Sequence, residues 1–157
     1  MKNIQKATLL MVMCIYITAC ADTLPVALPK QLQADQYPIV SYNVVETKTI
    51  NKSIHEAVKN KEEWVYSPIL IAIKYTKASD ASFTSILAKS DGGEQPTTST
   101  ITIVEDGYLD DSVRGGWFQL YLNKNNTKHI WEVKEIREAY LCGRANSINS
   151  FSKESCP

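Results

Sequence analysis

Charge gives this chain of 157 residues no direction: 17 basic and 17 acidic residues cancel, with neither a basic stripe nor an acidic tail. Nucleic-acid binding therefore has no electrostatic footing, and no such partner is expected. Histidine is scarce, with His55 and His129 alone, so no His-x-x-x-His metal pair exists. A Gly-x-Ser-x-Gly elbow, a phosphate-cradling glycine loop and a Cys-x-x-Cys-His haem site are absent too. Ser112, Asp111 and His129 are triad residue types, but without the elbow such a combination arises easily by chance. A chain this small shows no second lobe that would face two carboxylates across a cleft. No catalytic residue, cofactor or metal is assigned, and the balance points away from an enzyme. No apolar run reaches the ~20 residues of a membrane-spanning helix. What remains is ordinary: 44% apolar and 22% charged residues, enough for one domain with a buried core.

The N-terminus is the least ordinary part. Lys2 and Lys6 precede the apolar run Ala7–Ile17, the pattern of an export signal. The run closes on Ile17-Thr18-Ala19-Cys20. An aliphatic residue, two small ones and a cysteine resemble the lipobox of bacterial lipoproteins. That resemblance implies cleavage before Cys20 and lipidation of Cys20, and hence a membrane held through an N-terminal lipid. Ala21, in place of the Asp that typically retains lipoproteins in the inner membrane, implies the periplasmic side of the outer membrane. Residues 1–19 are then signal, 20–37 a lipidated cysteine and flexible tether carrying Pro25 and Pro29, and 38–157 a single domain. The mature chain has 15 basic against 17 acidic residues, a net of −2.

Of four cysteines, Cys14 leaves with the signal and Cys20 carries lipid, which leaves Cys142 and Cys156. Two cysteines in an exported chain pair most often as a structural staple. Their separation lacks Cys-x-x-Cys geometry, which sets aside a redox or metal pair.

The domain is organised around two long strands. Phe118, Leu120 and Leu122 alternate with polar residues in Val113–Asn123, and Trp131 and Val133 do so at the start of Ile130–Cys142. The polar Lys124–Lys128 joins them as a turn. Val133, Ile136, Ala139 and Tyr140 also fit helical spacing, and the length of the opposing strand favours a strand. Upstream, Tyr37–Thr49 offers a weak edge strand. Asn51–Tyr66 is predicted as a helix, capped by a Ser53/Glu56 box, striped by Ile54, Ala57, Val58 and Trp64, and ended by Pro68. Ile69–Tyr75 reads as a covered strand. Ala78–Thr98, rich in Ser, Thr, Asp and Gly, reads as a mobile loop with one helical turn at Phe83, Ile86 and Leu87. Thr100–Glu105 alternates as a strand. The fold class expected is α+β: one N-terminal helix on a curved antiparallel sheet, in the layout of cystatin-like and NTF2-like folds, with a C-terminal disulfide.

The segment Glu105–Ser112 is the chemically suggestive one, with four carboxylates in seven residues. Oxygen-rich loops of this kind take Ca²⁺, but the spacing is not that of an EF-hand. The plainer reading is an Asp-Gly turn in which Asp111 or Ser112 bonds local backbone. Arg114, Arg137 or Arg144 is placed to pair with Asp110 or Asp111. Tyr108, Asp110, Asp111 and Arg114 are the candidate binding residues. Asp110–Gly115, Trp131-Glu132-Val133 and Cys142-Gly143-Arg144, with Phe151 and Cys156-Pro157, resemble small exported bacterial proteins, a resemblance that implies no activity. The expected function is a lipid-anchored, non-catalytic binding domain of the cell envelope with an envelope protein as partner. The alternatives are an inhibitor of a cell-wall hydrolase or toxin, and a ligand- or metal-dependent protein using the 105–112 loop.

Overall fold

The computed structural model describes residues 38–77, 81–144 and 150–157. The segments expected to be signal, Cys20 lipobox and tether lie outside these residues. A short strand, β1 (Asn43–Val45), leads directly into α1 (Lys48–Lys59). A 3₁₀ turn (Glu63–Tyr66) and α2 (Pro68–Thr76) follow, then β2 (Phe83–Ser90), β3 (Thr98–Asp106), β4 (Val113–Asn125) and β5 (Ile130–Cys142). The strands form one antiparallel sheet in the order β1-β5-β4-β3-β2. The α+β class holds, with two α-helices rather than one among the described residues and a strand ahead of the first.

Helix α1 starts earlier than its capping signature implies. Ser53 lies inside it, donating its hydroxyl to the Thr49 carbonyl, and Thr47 occupies the N-cap without a side-chain bond. Ile50, Ile54 and Ala57 recur at helical spacing and are all buried. The end is a Schellman closure: Lys61 takes a positive φ, its N–H bonds the Val58 carbonyl, and the Glu62 N–H bonds that of Ala57.

The Ile69–Tyr75 run is helix α2, not a strand. Ser67 accepts from the Leu70 N–H and Pro68 fills the first helical position, where a missing donor is harmless. Ile71 and Ala72 turn wholly inward. The predicted 78–98 loop likewise contains a strand, β2, whose eight residues pair without a break against β3; Ala78–Asp80 lie outside the described residues. The β4–β5 hairpin is as expected, and Lys134–Leu141 is strand throughout. Asn125 holds its turn by accepting from the Thr127 and Lys128 N–H groups.

Both helices cover one face of the sheet. Ile54, Val65 and Ile71 pack there with Ile101, Ile103, Leu120, Leu122 and Ile136. On the opposite face Val104, Trp117, Ala139 and Leu141 cluster with Phe151, brought in from the C-terminal segment. That segment is held by the Cys142–Cys156 disulfide. It is also bonded to Tyr140 of β5 and to residues 38–40, through Ser152 and Phe151.

Candidate functional site

The acidic loop is drawn together by its own members. Asp106, buried at the end of β3, takes both a bond from Arg114 Nε at 2.9 Å and one from Nη2 at 3.0 Å. It also accepts from the Gly107 N–H, where a positive φ makes glycine the natural residue. Asp110, rather than Asp111 or Ser112, bonds the local backbone by accepting from the Ser112 and Val113 N–H groups. Those two bonds hold its carboxyl below the usual range. Asp111 pairs with Arg144. Glu105 points to the helix-covered face and accepts from the Tyr108 hydroxyl at 2.5 Å. The four carboxylates thus turn to different partners, and among the described residues no three His, Cys, Asp or Glu gather as a metal would need. The loop is a braced projection with Leu109, 88% exposed, at its tip.

A second location was not visible in the sequence. Between α1 and α2, beside β1, lies a cleft of about 700 Å³. Its apolar wall is Val45, Ile50, Ile73 and the Tyr75 ring. Lys74 and Lys77 stand beside it, and the Lys74 ammonium lies 5.7 Å from the centre of the Trp64 ring. The sequence concealed this site because α2 was read as a strand.

Tyr75 closes one side through chemistry of its own. Its hydroxyl donates to Glu138 Oε1 while the Tyr140 hydroxyl donates to Oε2. Burial, followed by the neighbouring carboxylate, raises both phenols, Tyr140 to about 12. At neutral pH both phenols therefore keep the protons that they donate to Glu138.

The opposite sheet face carries a polar chain. The Arg137 guanidinium lies between the rings of Tyr42 and Tyr121, 4.8 and 4.7 Å from their centres. It donates to the Tyr121 hydroxyl, which donates to Gln119, which donates to Thr102. Each member has a partner, so the chain is a rigid surface and not a set of reactive groups.

No helix among the described residues is long and apolar enough to cross a membrane. No family model, curated protein or solved structure matches the chain.

Proposed function

We propose that the chain is an envelope lipoprotein, anchored through Cys20 to the periplasmic side of the outer membrane, whose domain is a non-catalytic binding module working through the α1–α2 cleft. The observation that carries the reading is the cleft itself: it is of small-ligand size, with an apolar wall of Val45, Ile50, Ile73 and Tyr75 edged by Glu46, Thr49, Ser53, Lys74 and Lys77. Helices over one sheet face also make up the layout of cystatin-like and NTF2-like folds, a likeness of arrangement that adds no function by itself. Supporting the anchor are the Lys2/Lys6 start, the apolar run and Ile17–Cys20. The ligand expected is apolar over most of its length, with an anionic end near Lys74 and Lys77.

The test is native mass spectrometry on the full chain, extracted gently from membranes, beside Ser53→Trp. Ser53 lines the cleft from an exposed helix position, so the larger ring fills space without entering the core. A small molecule on the wild type, lost from Ser53→Trp at unchanged helicity, supports the reading. An empty wild-type protein, unmoved in melting temperature by fatty acids and lysophospholipids, overturns it.

One observation favours a second reading, an inhibitor of a cell-wall hydrolase or toxin. The 107–112 projection is braced from both sides and presents Leu109 outward, as a loop entering an enzyme cleft would. Loss of inhibition in Leu109→Ala, against any hydrolase that the wild type inhibits, is its measurement.

A further inference from the structure

The two edges of the sheet are finished differently. At one, β1 has only three residues, and the C-terminal segment continues beside β5 where Tyr140 and Ser152 exchange backbone bonds. Asn43 donates to the Lys153 carbonyl, and the Lys153 N–H donates to Ser41. The disulfide fixes this cover from its far end. That edge is closed.

At the other edge β2 runs for eight residues in unbroken register, without proline, bulge or any charge except Lys89. Edge strands in monomers are ordinarily short, bulged, charged or covered, because a bare row of N–H and C=O groups recruits another strand. Ile86 is opposite Ile103 and so lies on the helix face, yet it is 41% exposed. On that same face α2, which packs over β3 and β4, leaves Ile69 and Leu70 37% and 45% exposed.

We infer that β2 is the edge through which two copies of this chain pair, antiparallel, into one ten-stranded sheet. A two-fold axis perpendicular to the sheet keeps the helices of both copies on one face. It also requires partners of the same parity, because opposed residues share a face. A register centred on Ile86 sets Ile86 against its copy, Thr84 against Ala88 and Phe83 against Lys89. It opposes no like charges and places the exposed Ile86 pair at the centre of the contact. A register centred on Lys89 would set ammonium against ammonium. The pairing stands without the anchor or the cleft.

Oxidative crosslinking of the full chain in detergent tests it, with Ile86→Cys beside Lys89→Cys. Facing Cα atoms of an antiparallel pair lie about 4.5–5.5 Å apart, within disulfide reach. Three residues off the axis, two Lys89→Cys copies would be ~20 Å apart. The expected result is a dimer band for Ile86→Cys well above that for Lys89→Cys. Sedimentation should show a dimeric wild type and a monomeric Ile86→Lys with an unchanged circular dichroism spectrum. Ile86 is exposed enough for that lysine to leave the fold intact. Equal crosslinking of the two cysteine variants, a wild type that sediments as a monomer at its highest soluble concentration, or a crosslink to a different protein would each overturn the inference.

Discussion

Replacing both Cys142 and Cys156 with alanine should destabilise the domain by about 3 kcal/mol. The two residues are 14 apart, and closing a loop of about 15 residues removes that much entropy from the unfolded chain. For a domain of about 120 residues this corresponds to a melting point lower by ~10 °C. The structure adds a sharper requirement. Phe151, wholly buried, sits inside the closed loop, yet four backbone bonds hold its segment independently of the sulfurs. They run from Phe151 to Pro38, Val40 to Phe151, Ser152 to Tyr140 and Tyr140 to Ser152. The segment should therefore stay docked after the disulfide is gone. Phe151→Ala alone should cost about 3–5 kcal/mol through the cavity it leaves. The two losses should then add, since one acts on the unfolded ensemble and the other on native packing. Urea unfolding of the two variants and their combination measures this. A combined loss well short of the sum would refute the reasoning, because it would mean that Phe151 leaves its site once the sulfurs are cut.

Arg114→Ala should cost about 2 kcal/mol by urea unfolding, since buried Asp106 would lose both guanidinium bonds. Ile71→Ala should cost 2–5 kcal/mol, roughly, by the same method; a loss under about 1 kcal/mol would mean that α2 does not face the core. Asp91 is held down to about 2, first by the Thr97 hydroxyl and then by the Thr98 N–H. Its stabilisation is present above the usual value of 3.8 and disappears as pH falls toward 2, so Asp91→Asn should flatten the acid slope of melting temperature in that window. At the alkaline end the raised phenols work in the opposite sense. Their stabilisation is full below pH 10 and vanishes as pH climbs through about 12 for Tyr140, so a 295 nm titration should show phenols ionising late, fewer of them in Tyr140→Phe.

The hairpin was legible because period-two alternation at Phe118–Leu122 and Trp131–Val133 survives on a strand pair covered by helices. The staple was legible by counting cysteines. The class followed from segregated elements, whereas two assignments inverted. Ile69–Tyr75 is apolar but for Lys74, because α2 buries Ile71 and Ala72 while also lending Ile73 and Tyr75 to the cleft. The stripe that distinguishes a helix is therefore blurred, and Ser67-Pro68 was the signal that remained. In β2 the residues on the face away from the helices, Phe83, Ser85 and Leu87, mix polar with apolar, and Ile86 is left exposed on the helix face. Eight pairings with β3 decide that strand, and no local preference does. The acidic loop was found by composition, but Arg114 reaching Asp106 depends on the β3–β4 register, in which Asp106 stands opposite Gly115. The cleft lies between successive elements, β1, α1 and α2, and exists only because Pro68–Thr76 is a helix.

Asn51 gives the two helices unlike attachments. Its amide donates to the Val133 carbonyl at 2.8 Å and accepts from the Val133 N–H at 2.9 Å, next to the register shift in the β4–β5 pairing. A planar group bonded twice to one residue does for α1 what a neighbouring strand would do, and it leaves α1 no freedom to swivel. Helix α2 meets the same strand through a phenol on a carboxylate, a contact that yields with one rotamer change of Tyr75. The two walls of the cleft are thus fixed by different means: α1 by a side-chain amide laid along β5, α2 by Ile71 and Ala72 sunk in the core and by the Tyr75–Glu138 bond at its rim.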